Sequence, residues 1–181
     1  MRSIGLITLL VAGCGGGGES VQDAYDGPCW PLPSTPGGEV EIGTGDIVFE
    51  PIGAEMPITR GISQSDPYLE IHARMRGMPP GDRDDAFDAA NPHTKVSAVV
   101  IDTGFVVGAA IVCPASLGYV PGPDSGTFDL QHSLRLGFGT TPLSEVSGKD
   151  VRVTVEIVGS NGLYAKAEAV VPLETIPATA R

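Results

Sequence analysis

Asp82, Asp84, Asp85 and Asp88, followed by Asn91, place five hard oxygen donors within ten residues. Oxygen ligands crowded into one loop are what Ca²⁺ requires. Against the calcium-loop pattern D-x-[DN]-x-[DN]-G, Asp82 and Asp84 fit, but Ala86 and Phe87 stand where the third ligand and the glycine belong. The expectation is a solvated acidic loop with calcium as the alternative, and no metal or other cofactor is assigned.

The three histidines form no motif. His72 alternates with Glu70 and Arg74 and is expected on the solvated face of a strand, while His93 follows Asn91-Pro92 in a loop. His132 falls among Leu130 and Leu134 on an apolar side. It is expected either buried against a backbone partner or turned outward by a bulge, rather than acting as ligand or base. No G-x-S-x-G elbow occurs, and GISQS, VGSNG and PDSGT lack its strand–turn–helix setting. Nothing singles out a carboxylate pair for glycoside chemistry. Arg60, Arg74 and Arg76 could line a basic stripe, but charges alternating along a strand are usually its wet face. Pro-Ala-Ser-Leu-Gly follows Cys113, without the histidine and methionine of a blue-copper site. No catalytic constellation emerges, and the chain is expected not to be an enzyme.

The 181 residues carry 11 Lys+Arg against 22 Asp+Glu, a net charge of −11. A surface this acidic repels phosphate backbones, which argues against nucleic-acid binding. The 25 glycines and 16 prolines favour many turns over long helices.

The first residues read as an address. Met1-Arg2-Ser3 carries one positive charge, Ile4 to Ala12 is apolar apart from Gly5 and Thr8, and Val11-Ala12-Gly13-Cys14 closes the run. That segment is too short to span a membrane as a helix. The tetrapeptide resembles the lipobox of bacterial lipoproteins. The resemblance implies cleavage before Cys14, a diacylglyceryl group on its sulfur, and membrane attachment through that lipid. Gly15 in place of Asp implies sorting to the outer membrane of a Gram-negative envelope. The alternative is an ordinary secretory signal. A phosphate loop would need Lys-Ser/Thr after its glycines, and Glu19-Ser20 follow instead. The four glycines suit a slack tether, since they bring no side chains to pack.

With Cys14 acylated, Cys29 and Cys113 remain, 84 residues apart. In an oxidising compartment one disulfide between them is the economical reading, and closing such a loop stabilises by roughly 4–5 kcal/mol before strain. Two unrelated thiols are the alternative.

Between turns the chain alternates. In "EVEIG" Val40 and Ile42 oppose Glu39 and Glu41, and in "YLEIHARMRG" Leu69, Ile71, Ala73 and Met75 share a face. Pro51 marks "DIVFEPI" as an edge, "MPITR" is a short strand, and Gly77 to Asn91 is a polar excursion. "KVSAVVID" and "FVVGAAIVC" flank a hairpin at Thr103-Gly104. Phe128, Leu130, His132, Leu134, Leu136 and Phe138 share one side of "TFDLQHSLRLGFG". "VRVTVEIV" and "LYAKAEAVV" flank Asn161-Gly162, a signal for a two-residue type I′ turn. This predicts an all-β fold, an antiparallel β-sandwich of seven to nine strands similar in layout to immunoglobulin and fibronectin-III domains. Residues 1–13 read as signal peptide, 14–38 as tether, 39–173 as the sandwich and 174–181 as tail.

"GTGDIVFEPI" and "ARMRGMPPGD" resemble segments of uncharacterised single-domain β-sandwich lipoproteins, a resemblance that implies no activity. The functional expectation is a lipid-anchored, non-catalytic binding or structural module of the envelope. A hydrolase or metal-dependent enzyme, and an accessory subunit of an envelope complex, are the alternatives.

Overall fold

The computed structural model describes residues 35–60, 67–108, 115–176. Cys14, Cys29, Trp30 and Cys113 lie outside them, and so do the lipidation and disulfide readings. Among the described residues the chain is nearly all strand, and its only helical element is a single 3-10 turn at Leu143–Glu145.

Two sheets face each other across one core. The first is ordered β1 (Thr35–Pro36), β13 (Leu163–Pro172), β12 (Asp150–Val158), β6 (His93–Val100), β7 (Phe105–Val107), with β8 (Ala115–Ser116) also on β6. The second is ordered β3 (Glu50–Pro51), β2 (Glu39–Thr44), β5 (Pro67–Arg76), β10 (Thr127–Leu130), β9 (Tyr119–Pro121). In it β4 (Thr59–Arg60) and β11 (Leu134–Gly137) also pair with β5. The described residues thus hold thirteen strands rather than seven to nine. The excess comes from pieces of two to four residues, among them β10 and β11, into which one expected strand divides, and β1 and β8, too short to show alternation. The pairing is antiparallel except where β1 joins β13 and where Met56 bridges Leu173, both parallel. Thr35–Pro36 falls within the stretch read as tether.

The alternation in each long strand decides which face is dry. Leu69, Ile71, Ala73 and Met75 of β5 meet Val151, Val153, Val155 and Ile157 of β12 and Val96, Ala98 and Val100 of β6 within the core. Each such aliphatic chain taken fully out of water contributes about 1.5–3 kcal/mol. Tyr119 turns its hydroxyl into this core and shares a 2.8 Å hydrogen bond with Thr94, which satisfies two polar groups that would otherwise be stranded. Both expected hairpins form. Gly104 takes φ 67° and donates its N–H to Val100 in the β6–β7 turn. The β12–β13 connection is a four-residue loop, 159–162, instead of a two-residue turn, and Asn161 Oδ1 accepts the Leu163 N–H within it.

"TFDLQHSLRLGFG" is not one strand. β10 opposes Arg74–Arg76 of β5, β11 opposes Tyr68–Ile71, and Gln131–Ser133 bulge out between them. Four residues from Leu130 to Ser133 oppose only His72 and Ala73, so Leu130 and Leu134 both face the core and His132 is thrown outward, exposed.

Candidate functional site

The bulge and the β2–β3 loop together build a covered polar cluster on the outer face of the second sheet. Register places Glu41, Arg74 and Asp129 in one row across β2, β5 and β10. The next row holds Gly43 of β2, His72 of β5 and, one step beyond the Leu134–Ile71 pair, Ser133. The loop from Gly45 to Phe49 folds back over these rows. Gly45 takes φ 93°, which suits glycine, and a Cβ there would collide with the Val48 carbonyl. The Phe49 ring settles where Gly43 has no side chain: a Cβ on Gly43 would lie 2.5 Å from Phe49 Cε2. Phe49 meets His72 edge-on at 5.7 Å between centroids, and the Arg74 guanidinium lies 4.2 Å over its face. At the base of the loop the Asp46 carbonyl accepts the Ser133 N–H, and the Asp46 carboxylate pairs with Arg135, which also reaches Glu70.

The cover changes the chemistry of His72. The expectation of a solvated surface histidine is wrong: the ring points to the outer face as its alternation with Glu70 and Arg74 requires, yet it is 0 % exposed. Neither ring nitrogen, nor Ser133 Oγ, has a hydrogen-bond partner among the described residues. Burial holds the His72 pKa below the usual histidine range; the nearby Ala73 backbone and the charge of Asp129 oppose this, the charge of Arg74 adds to it, and Asp46 opposes it.

Ser133, at the end of the bulge, brings a hydroxyl into register with the imidazole of His72, as nucleophilic catalysis would need. The remaining requirements are not met in this geometry. No hydrogen bond joins Ser133 to His72, Phe49 closes the solvent side, and both Asp129 oxygens are held by Arg74 at 2.6 and 2.9 Å. That bidentate bond pushes the Arg74 pKa up.

The other expected site residues do not converge. In the acidic loop Asp82, Asp85 and Asp88 each accept an N–H two residues on, from Asp84, Phe87 and Ala90. These are Asx turns, in which a carboxylate shapes its own backbone. Asn91 is fully buried beneath them; its Oδ1 accepts the Asp82 N–H and its Nδ2 donates to the Asp85 carbonyl, both at 2.7 Å. Among the described residues no three His, Cys, Asp or Glu side chains group as a metal site would require. Arg60 and Arg76 stand at opposite ends of β5, with Arg74 committed to Asp129, so no basic stripe forms. His93 opens β6 opposite Val158, half-buried, and burial lowers its pKa.

The outer face of the first sheet is open. Lys95, Glu156 and Lys166 form one row across β6, β12 and β13, and Ser97, Thr154 and Glu168 the next. Arg152 reaches Glu168 at 3.3 Å, and Tyr164 Oη donates to Glu156 at 2.7 Å. Val106, Val99, Arg152 and Val170 make the row at the far end, with Ile101 beyond it.

Phe49, Gly43, Asp129 and Ser133 were not singled out by residue type or spacing. The one available signal was Gly43, an isolated glycine within a strand pattern, which marks a close approach by another group. Among the described residues no helix is long and apolar enough to cross a membrane. No protein-family model, curated protein or solved structure matches the chain.

Proposed function

We propose that this is a lipid-anchored envelope protein whose immunoglobulin-like β-sandwich serves as a non-catalytic binding or structural module. The observation that carries the reading is the disposition of the polar groups. Of the groups that the sequence marked for chemistry, Arg74 is committed to Asp129, and Asp82, Asp85 and Asp88 to the Asx turns of their own loop. The outer face of the first sheet remains as a broad, open surface of mixed charge with valines at one end. Such a face suits a protein partner better than a small substrate, which a concave site would enclose.

The tether enters at Thr35, beside Leu163 and at the same end as His93 and the acidic loop. A lipid on Cys14 therefore joins the domain to the bilayer from this end, through a slack tether. With a net charge of −11, the chain is repelled by anionic headgroups, which leaves the sheet face accessible.

The test separates anchor from partner. In fractionated cells the wild-type chain is expected with the outer membrane and Cys14→Ala in the soluble pool; equal soluble recovery of both removes the anchor. The chain has three lysines, Lys95, Lys149 and Lys166, two of them on the open face. Amine-directed crosslinking in native membranes is expected to join a partner through Lys95 or Lys166. Crosslinks through Lys149 alone overturn the assignment of the face. A hydrolase built on His72 and Ser133 is the second reading, favoured by their adjacency. Ester hydrolysis lost in Ser133→Ala would establish it in place of the module.

A further inference from the structure

His72, Ser133 and Phe49 form a structure with a cost built into it. Buried polar atoms are nearly always hydrogen-bonded, yet the two ring nitrogens and Ser133 Oγ lie together without partners. The neutral ring is tolerated under Phe49 because it carries no charge and leaves only one donor and one acceptor unpaired. An imidazolium there would be a charge out of water with only the Ala73 backbone close enough to support it. The cover above it rests on little: Phe49 is its one buried side chain, whereas Ile47 and Val48 at its tip are 66 % and 68 % exposed.

We infer that the Gly45–Phe49 loop is an acid-released flap, latched over the second sheet by the neutral ring of His72 and freed when that ring takes a proton. The charged groups around the ring are Glu70 and Arg74 on its own strand, Glu41 on β2, Asp46 and Glu50 on or beside the flap, Asp129 on β10 and Arg135 on β11. Arg74 holds Asp129, and Arg135 holds Asp46 and Glu70, so these three carboxylates already serve other cations. Glu41 lies beside Arg74 in its row, and Glu50 is exposed on β3. An imidazolium gains water by displacing Phe49 rather than by capturing a committed carboxylate. Release bares Phe49 next to Ile47 and Val48, an acid-dependent apolar surface at one defined place. The Asp46 carbonyl bond to Ser133 N–H and the Asp46–Arg135 pair keep the base of the loop attached.

The sign follows from proton linkage. The folded, latched state binds the His72 proton less readily than the open state, so latching is complete above the ordinary histidine range. It is lost as pH falls from about 6.5 through the lowered folded value. The experiment is NMR on the full-length chain from about pH 8 to about pH 5, reading the Phe49–His72 ring-proton contact for the flap and amide exchange for β12. In the wild type, the ratio of packed to released Phe49 is expected to fall by up to about tenfold per pH unit within that window. Val153 and Val155 of β12 should keep their amide protection, and His72→Phe should abolish the pH dependence of the flap. If His72→Phe does not fold, His72→Gln and the wild-type imidazole titration followed by NMR take its place. A wild-type His72 that titrates at or above the ordinary range overturns the proposal. So does a flap that tightens in acid, which would mean that Asp46 captures the imidazolium, and so does loss of β12 protection together with release of the flap.

Discussion

Arg74 holds Asp129 by two hydrogen bonds, Nε to Oδ1 at 2.6 Å and Nη2 to Oδ2 at 2.9 Å, while its guanidinium carbon sits over Phe49, 4.2 Å from the ring centroid. Their side chains are only 14 % and 12 % exposed. Removing one partner strands a mostly buried charge and loosens the cover as well. Arg74→Leu or Asp129→Leu is expected to cost about 2–4 kcal/mol by urea denaturation, somewhat below the full penalty for a completely buried pair. The double variant should recover much of that, because two apolar side chains leave no charge unpaired. Arg74→Lys keeps the charge but not the planar fork, and should fall between.

Gly43→Ala should destabilise by roughly 1–3 kcal/mol, since the new methyl would press on both Phe49 Cε2 and the Glu50 carbonyl at 2.5 Å. Gly137→Ala is the control: nothing lies within 4 Å of a Cβ there and its φ is negative, so its melting temperature should be close to that of the wild type.

Asn91 rivets the acidic loop from below, and Asn91→Ala should cost about 2–3 kcal/mol by leaving the Asp82 N–H and the Asp85 carbonyl without their partner. Asp84→Ala, at the exposed rim, should cost far less in the same thermal melts. Because Asp82, Asp85 and Asp88 bond their own backbone, millimolar Ca²⁺ is expected to leave the melting temperature unchanged.

Tyr164 is pushed up to about 12, first by burial and then by its hydrogen bond to Glu156 and the charge of that carboxylate. Burial pushes Tyr119 higher still, against its bond to Thr94. A phenol held neutral in the fold favours the folded state below the ordinary tyrosine range, and that contribution is lost as pH rises from 10 through about 12. In an ultraviolet difference titration two of the four tyrosines should ionise late, and Tyr164→Phe should remove one of those steps and flatten the loss of stability.

Alternation made β5, β12 and β13 legible, because side chains on a strand point to opposite faces at a fixed period of two. Leu69, Ile71, Ala73 and Met75 pack inward and Glu70, His72 and Arg74 point outward, as that period requires. At His132 the same rule left burial or an outward bulge open, and two inserted residues make the bulge without changing the look of the pattern. Strands of two residues have no period at all: β3 and β4 were legible only through Pro51 and the short MPITR segment, and β1 and β8 could not be read.

The environment of His72 marks the boundary between the two kinds of information. Sequence alone determined which way its side chain points, that the chain would be all-β, and that the acidic loop departs from a calcium pattern. Only the tertiary structure decided that the outward-facing ring is buried. The reason is physical: burial depends on what crosses over a residue, and here Phe49 crosses by way of a loop that Gly45 turns and Gly43 accommodates. That contact joins residues 23 positions apart, a distance over which local periodicity carries no information.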